Sequence, residues 1–195
     1  MEKVMWLVRH GEATHNVDFA QRGYAAYTDP KHRDSLLTAL GEQQAMQCTL
    51  PPEVELVVVS PLQRALQTAE YAQFASSIPV IVLDCVREFP IGHTPNIVLH
   101  VHHPIGFDYS QAMAQQEDWS DGRMETSDEV DLRVRTFCEW LSQRPEQNIA
   151  VISHSSYLNR FMRNTGVLQA PDKPLPHVLP IHWVFICGIS AERTL

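Results

Sequence analysis

Continuous apolar runs rich in valine and isoleucine punctuate the chain at Val4–Val8, Leu56–Val59, Pro79–Leu83 and Ile149–Ser153. Runs without polar alternation suit strands covered on both faces, as in a mainly parallel sheet. A fifth run, Ile181–Ile186, reads as a late edge strand. Between the runs the pattern changes to helical spacing. Thr38–Cys48 follows a cap at Thr38, and Pro61–Phe74 opens on Ser60-Pro61, a capping serine followed by proline at the first helical position. Thr126 and Glu129 have the spacing of a capping box. After them Val130, Val134, Phe137 and Leu141 fall on one helical face. A last helix is expected from near Ser155 to near Gly166. The alternation predicts an α/β domain across residues 1–195, a three-layer α/β/α sandwich with a mainly parallel central sheet. Asp18–Asp34 and Phe89–Gly122 lack clear periodicity and Ala170–Pro180 is rich in proline. Long irregular segments in a compact domain are more often functional than idle, so the first two are expected to be lid segments walling a pocket.

Composition narrows the picture. With 44% hydrophobic and 19% charged residues over 195 positions, the chain has the make-up of an ordinary globular protein. A formal net charge of −8 argues against general nucleic-acid binding, which needs a basic footprint. It does not exclude a small anionic substrate held in a local basic pocket. Cys48, Cys85, Cys138 and Cys187 are scattered, without a CxxC pair, which suits reduced thiols rather than a disulfide framework or zinc site. The N-terminal stretch reads as neither a secretory signal nor a membrane span, and a cytoplasmic protein is expected. Oligomeric state stays open.

The candidate chemistry lies where strands end. Leu7-Val8-Arg9-His10-Gly11-Glu12 closes the first run, and ligands of open α/β sheets bind beyond the carboxyl ends of strands. Gly11 suits a sharp turn and close approach to a ligand. Ser60–Ala69 begins at the end of the second run and sets Arg64 in the first turn of a helix. A cation there opposes the helix dipole, unless an anion occupies the terminus. Val151-Ile152-Ser153-His154 repeats the layout. Three strand ends thus deliver Arg9, His10, Arg64 and His154 to one edge of the sheet.

These residues stand in segments that resemble the histidine phosphatase superfamily, which also contains the cofactor-dependent phosphoglycerate mutases. The matching pieces are LVRHGEATHN (7–16), LLTALGEQQA (36–45), SPLQRALQTA (60–69), REFPIG (87–92) and VISHSSYL (151–158). The resemblance implies a phosphoglycerate-mutase-like fold and a phosphomonoesterase acting on a small phosphate ester without metal or other cofactor. It makes His10 the nucleophile that becomes phosphorylated, and Arg9, Arg64 and His154 the rest of a phosphate pocket. Asn16 matches a position that often adds a phosphate hydrogen bond, and Ser155 is a further candidate contact or a helix cap. Glu88 is the best match to the proton donor, with Asp84 in reserve and a surface Arg87–Glu88 pair as the bland alternative. FPIGHTPN lacks the glycine spacing of the mutase branch, and VISHSSYL departs from the common His-Gly-Gly form. A mutase that returns the phosphate to another hydroxyl, and a non-catalytic phospholigand-binding domain, remain the competing classes. His100-Val101-His102-His103 looks like a metal cluster, but no carboxylate or cysteine nearby completes a ligand set. Arg22 and Lys31-His32-Arg33 would be solvated loop charge, or would meet a second anionic group.

Overall fold

The computed structural model describes residues 2–90, 92–99, 103–112, 123–165 and 175–178, with the backbone of 181–186. Six strands form one sheet: β1 (Glu2–Arg9), β2 (Leu56–Val59), β3 (Val80–Val82), β4 (Phe107–Asp108), β5 (Asn148–Ser153) and β6 (Ile181–Ile186), in the spatial order β4-β3-β2-β5-β1-β6. Every neighbouring pair is parallel except β1 with β6, which lies antiparallel at the edge. The late edge strand expected from Ile181–Ile186 is therefore present.

The continuous apolar runs are explained by burial on both faces. Met5, Leu7, Leu56, Val58, Ile149 and Val151 point into one core, with the helices α4 (Ser127–Ser142) and α5 (Ser155–Thr165). Their sequence neighbours Val8, Val57, Val59, Ala150 and Ile152 point into the other, with α3 (Gln63–Tyr71). The period of two along each strand distributes one apolar run between two layers of helix. On α4, Val130, Val134, Phe137 and Leu141 are all buried, behind a capping box formed by Thr126 and Glu129. Thr38 caps α2 (Ala39–Gln47) by accepting from Gly41 N–H.

Two local expectations are corrected. Asp18–Asp34 is not wholly irregular: α1 (Thr14–Arg22) runs into it, followed by 3-10 turns at Gly23–Tyr27 and Pro30–His32. Its helical character is hidden because α1 presents only His15 to the interior, so no apolar stripe marks it. Likewise α3 begins at Gln63, two residues beyond Pro61. Ser60 Oγ accepts from Leu62 N–H at 3.3 Å, while Gln63 N–H donates to Asp34 Oδ1 at 2.9 Å. A carboxylate remote in sequence thus takes the capping position. The other Asp34 oxygen accepts from Leu99 N–H at 2.8 Å, so one buried side chain ties both long excursions to the start of α3.

Packing gives Gly11 a reason of its own to be glycine. A Cβ there would stand against the backbone of Gly41, and a Cβ on Gly41 would overlap the Glu12 carbonyl. The first turn of α2 packs on the turn after β1 with no room for a methyl group.

Candidate active site

The strands β2, β5 and β1 are neighbours, so their carboxyl ends bring Arg64, His154 and Arg9-His10 together. His10 is buried, and its Nδ1 lies 2.6 Å from the Gly11 carbonyl. A carbonyl only accepts, so Nδ1 carries the hydrogen and Nε2 keeps its lone pair. Arg64 Nε–H donates to that Nε2 at 3.2 Å. The rest of the Arg64 guanidinium is anchored from the second excursion: Nη1 donates to the Pro95 carbonyl at 2.6 Å and Nη2 to Asn96 Oδ1 at 2.9 Å. Arg64 has no exposed surface at all, and neither does His154, whose ring centroid is 5.1 Å from that of His10.

The electrostatics keep both histidines neutral. Burial, then the Arg64 guanidinium and the neighbouring cationic or ring groups, hold His10 well below the ordinary imidazole range. His154 is lowered for the same leading reasons. Its Nε2 meets Ser60 Oγ at 2.8 Å and its Nδ1 is buried without a partner. A protonated His154 is therefore disfavoured here. A neutral ring with hydrogen on Nδ1 keeps a donor to offer.

Glu88 lies beside the same cavity. Its Oε1 accepts from Phe89 N–H at 2.8 Å and Tyr157 N–H at 3.0 Å, and Oε2 accepts from Ser156 N–H at 3.3 Å. The carboxyl thus caps α5, the job expected of Ser155. Burial pushes its pKa above the usual carboxylate value, against the backbone donors and Arg64, which pull the other way. Asp84, the reserve acid, instead pairs with Arg87 at 2.8 Å and lines a different, smaller cavity. The Arg87–Glu88 pair does not form its own surface ion pair; Arg87 is buried against Asp84.

The cavity itself measures about 470 Å3. Arg9, His10, Asn16, Glu88 and Ser155 line it, whereas Arg64 and His154 lie behind His10. Arg9 Nη1 donates to the Leu175 carbonyl at 2.7 Å, and its buried Nε has no partner. Asn16 Oδ1 accepts from Ala13 N–H at 3.0 Å, so half of its amide closes the start of α1. Ser155 Oγ accepts from Leu175 N–H at 2.9 Å, and Ser153 Oγ donates to the Val86 carbonyl at 2.7 Å.

Several residues at the site had no signal in the sequence. His177, in the proline-rich stretch, sets its Nδ1 2.7 Å from the His10 carbonyl and its ring 5.8 Å from that of His10. His15 is buried between His10 and Tyr27 and held down to about 2, by burial first and Arg64 second. Arg133 of α4 donates to the Cys85 and Arg87 carbonyls, both at 2.9 Å, and so fixes the segment that carries Glu88. Three of the loop's basic side chains are committed elsewhere: Arg22 pairs with Asp18 and Asp29, Lys31 stands 3.4 Å from each, and His32 Nε2 is 2.7 Å from Asp18. Of the histidine run, His103 stacks on Tyr109 at 4.5 Å, while His100 and His102 lie outside the described residues.

Residues 5–178 match the model of the histidine phosphatase superfamily, branch 1. The chain belongs to that superfamily. It is 31% identical over 163 residues to the adenosylcobalamin/alpha-ribazole phosphatase of Escherichia coli, covering 80% of this chain and 75% of that protein. It is 27% identical to phosphoglycerate mutase-like protein 1 of Arabidopsis thaliana, over 80% of this chain and 69% of that one. The crystal structure of the alpha-ribazole phosphatase from Shigella flexneri superposes with a TM-score of 0.58 at 24% identity, covering 85% of this chain and 81% of that one. The phosphoglycerate-mutase-like α/β fold is the fold of this protein.

Proposed function

We propose that the protein is a phosphomonoesterase in which His10 Nε2 attacks the phosphorus of a small phosphate ester. The observation that carries this reading is the pairing at His10: Nδ1–H held by the Gly11 carbonyl, and the Nε2 lone pair facing Arg64. Only a neutral imidazole attacks, and burial between guanidiniums keeps it neutral. An incoming phosphoryl oxygen takes the place of Nε2 as acceptor of the Arg64 Nε–H. Arg9 lines the cavity, its Nε is buried without a partner, and its guanidinium is the second fork of donors for the phosphoryl group. Phosphoryl transfer spreads charge over the equatorial oxygens, so fixed donors aimed there are the main source of rate.

As the Nε2–P bond forms, the ester P–O bond breaks, and the leaving alkoxide takes the proton of the Glu88 carboxyl. Glu88 then accepts a proton from the water that attacks the phosphohistidine, and the P–N bond breaks to restore the Nε2 lone pair. Its raised pKa suits the acid role, and a bound dianion raises it further. His154 Nδ1, buried without a partner behind His10, and the Asn16 amide, whose Nδ2 meets His15 Nε2 at 3.0 Å, are supporting donors only once a bound phosphoryl group draws them toward it. Glu12 and Glu88 stand among the lining residues, where Arg9 is the only arginine or lysine described. That balance favours hydrolysis of a singly phosphorylated ester over a mutase cycle, whose substrates carry additional anionic groups.

The arginines supply the charge neutralisation that a metal would otherwise provide, so turnover of 4-nitrophenyl phosphate should persist in EDTA. Rapid quenching should trap an acid-labile phosphate on the wild-type chain and none on His10→Ala. Turnover that chelation abolishes and added metal restores would overturn the phosphohistidine mechanism, as would a trapped phosphate on the variant.

A further inference from the structure

From the buried nucleophile to the protein surface runs a line of rings that the hydrolytic chemistry does not use. His15 follows His10 at 6.1 Å between centroids, and Tyr27 follows His15 at another 6.1 Å. Tyr27 stacks on His93 at 4.7 Å and 28°, joining the first excursion to the second. Tyr24 closes the line at 5.5 Å from Tyr27 and 5.6 Å from His93, and is 70% exposed. Phe19 packs edge-on against Tyr27 at 5.2 Å. All of these rings line the same cavity as Arg9 and His10, and Phe89 and Pro90 line it too.

Such a wall is costly to expose to water without a use. Tyr24 and Phe19 leave much of their apolar area uncovered at the mouth, although the loop around them carries Arg22 and Lys31. Those cations do not turn inward; Asp18 and Asp29 hold them outside. Burial keeps His93 on the neutral side of its ordinary pKa, so it offers a flat uncharged face rather than a charge. Among the described lining residues the slot therefore presents aromatic faces and edges, and Arg9 at its base is the one arginine or lysine. A flat ring gains offset-stacked or edge-to-face contact there, with little loss of side-chain freedom because tyrosine has only two side-chain torsions. A short anionic alcohol gains neither stacking nor a counter-ion.

We propose that this slot selects phosphate monoesters whose alcohol carries a planar aromatic or heteroaromatic ring, which packs along Tyr27, His93 and Tyr24 while the phosphate sits against Arg9 and His10. The proposal rests on the phosphomonoesterase reading for its choice of ligand, but binding tests it without turnover. The probes are ethylphosphonate, cyclohexylmethylphosphonate and benzylphosphonate, titrated calorimetrically into the intact protein, with benzyl and ethyl phosphate as the corresponding esters. Benzylphosphonate should bind about tenfold more tightly than ethylphosphonate and severalfold more tightly than its saturated analogue. Tyr27→Leu and His93→Leu should each shrink the benzyl-to-ethyl ratio at least threefold or so. The ratio is taken on one preparation, so a partly folded variant does not distort it, and either variant suffices if the other fails to fold.

Equal affinity for the benzyl and cyclohexylmethyl compounds, or a ratio unchanged in both variants, overturns the slot. Failure of the two ideas separates cleanly. Aromatic preference in binding with no ester turned over leaves the slot standing and sinks the phosphatase. Esters hydrolysed without regard to the ring do the reverse.

Discussion

The floor and the wall of the cavity are built by different means. The floor is backbone-determined: His10 and His154 follow directly from β1 and β5, Arg64 sits in the first turn of α3, and all three are nearly or wholly inaccessible to solvent. His10 and Arg64 are held by the fixed carbonyls of Gly11 and Pro95, and His154 by the Ser60 hydroxyl. The wall is assembled from side chains of two excursions that meet only in the folded state, through Tyr27 on His93 and through Asp34 between Gln63 and Leu99. The floor therefore sets what reaction is possible, and the wall sets what is admitted. Changes in the floor should strike every substrate alike; changes in the wall should alter ratios between substrates.

The largest expected break of that contrast is His10→Ala. Loss of a nucleophile that acts with its whole constellation should lower kcat by about 10^4-fold or more on every ester, with an unchanged far-ultraviolet spectrum. A variant that keeps near-wild-type rates places the nucleophile elsewhere. Next comes Arg64→Lys, which keeps charge but loses the fork that spans His10, Pro95 and Asn96. Removing one such oriented donor should lower kcat/KM by about 10^2- to 10^3-fold, equally for aryl and alkyl esters. An effect confined to one class would assign Arg64 to the wall.

Glu88→Gln sharpens the contrast by leaving group. An alkyl ester needs a proton on its departing oxygen and should slow by about 10^2-fold or more, while 4-nitrophenyl phosphate should slow far less. Equal slowing moves the acid to another group. The pH profile gives the sign independently. His10 is held well below its ordinary value, so its protonation should cause no loss as pH falls through the ordinary imidazole range. Glu88 is raised above its ordinary value, so its acid form persists to higher pH than usual and alkyl ester hydrolysis should fall as pH climbs through that raised pKa. The descending limb should vanish in Glu88→Gln; a limb that survives there belongs to another group.

Gly41→Ala gives the smallest effect on chemistry and tests how rigidly the floor is packed. Its added methyl meets the Glu12 backbone, which cannot yield as a side-chain tip would. Overpacking of this kind should lower unfolding stability by about 1–3 kcal/mol in urea denaturation. Unchanged stability would mean that the turn after β1 has more freedom than its contacts suggest.

Much of the floor is legible in the sequence, because strand ends leave a local trace. An apolar run that stops at Arg9-His10, at Ser60 or at Ser153-His154 names both the strand and the residue beyond it. Helices with a cap and an apolar stripe were legible for the same reason, as on α4. Local pattern misleads where a side chain is used across a long separation. Ser60 looks like the cap of α3, yet Asp34 takes that place and Ser60 supports His154. Ser155 looks like the cap of α5, yet Glu88 does that work. Asn96, Arg133 and His177 carry no such local signal, since the contact that brings each to the site is with a partner more than thirty residues away.

By itself, then, the order of residues determined the layers, the parallel core and the candidate reactive set at the strand ends, because periodicity and capping are nearest-neighbour properties of the chain. Tertiary structure alone decided which imidazoles are neutral, which carboxyl is raised and which rings face the ligand. Those depend on distance and loss of water, and both arise only when segments remote in sequence close on one another.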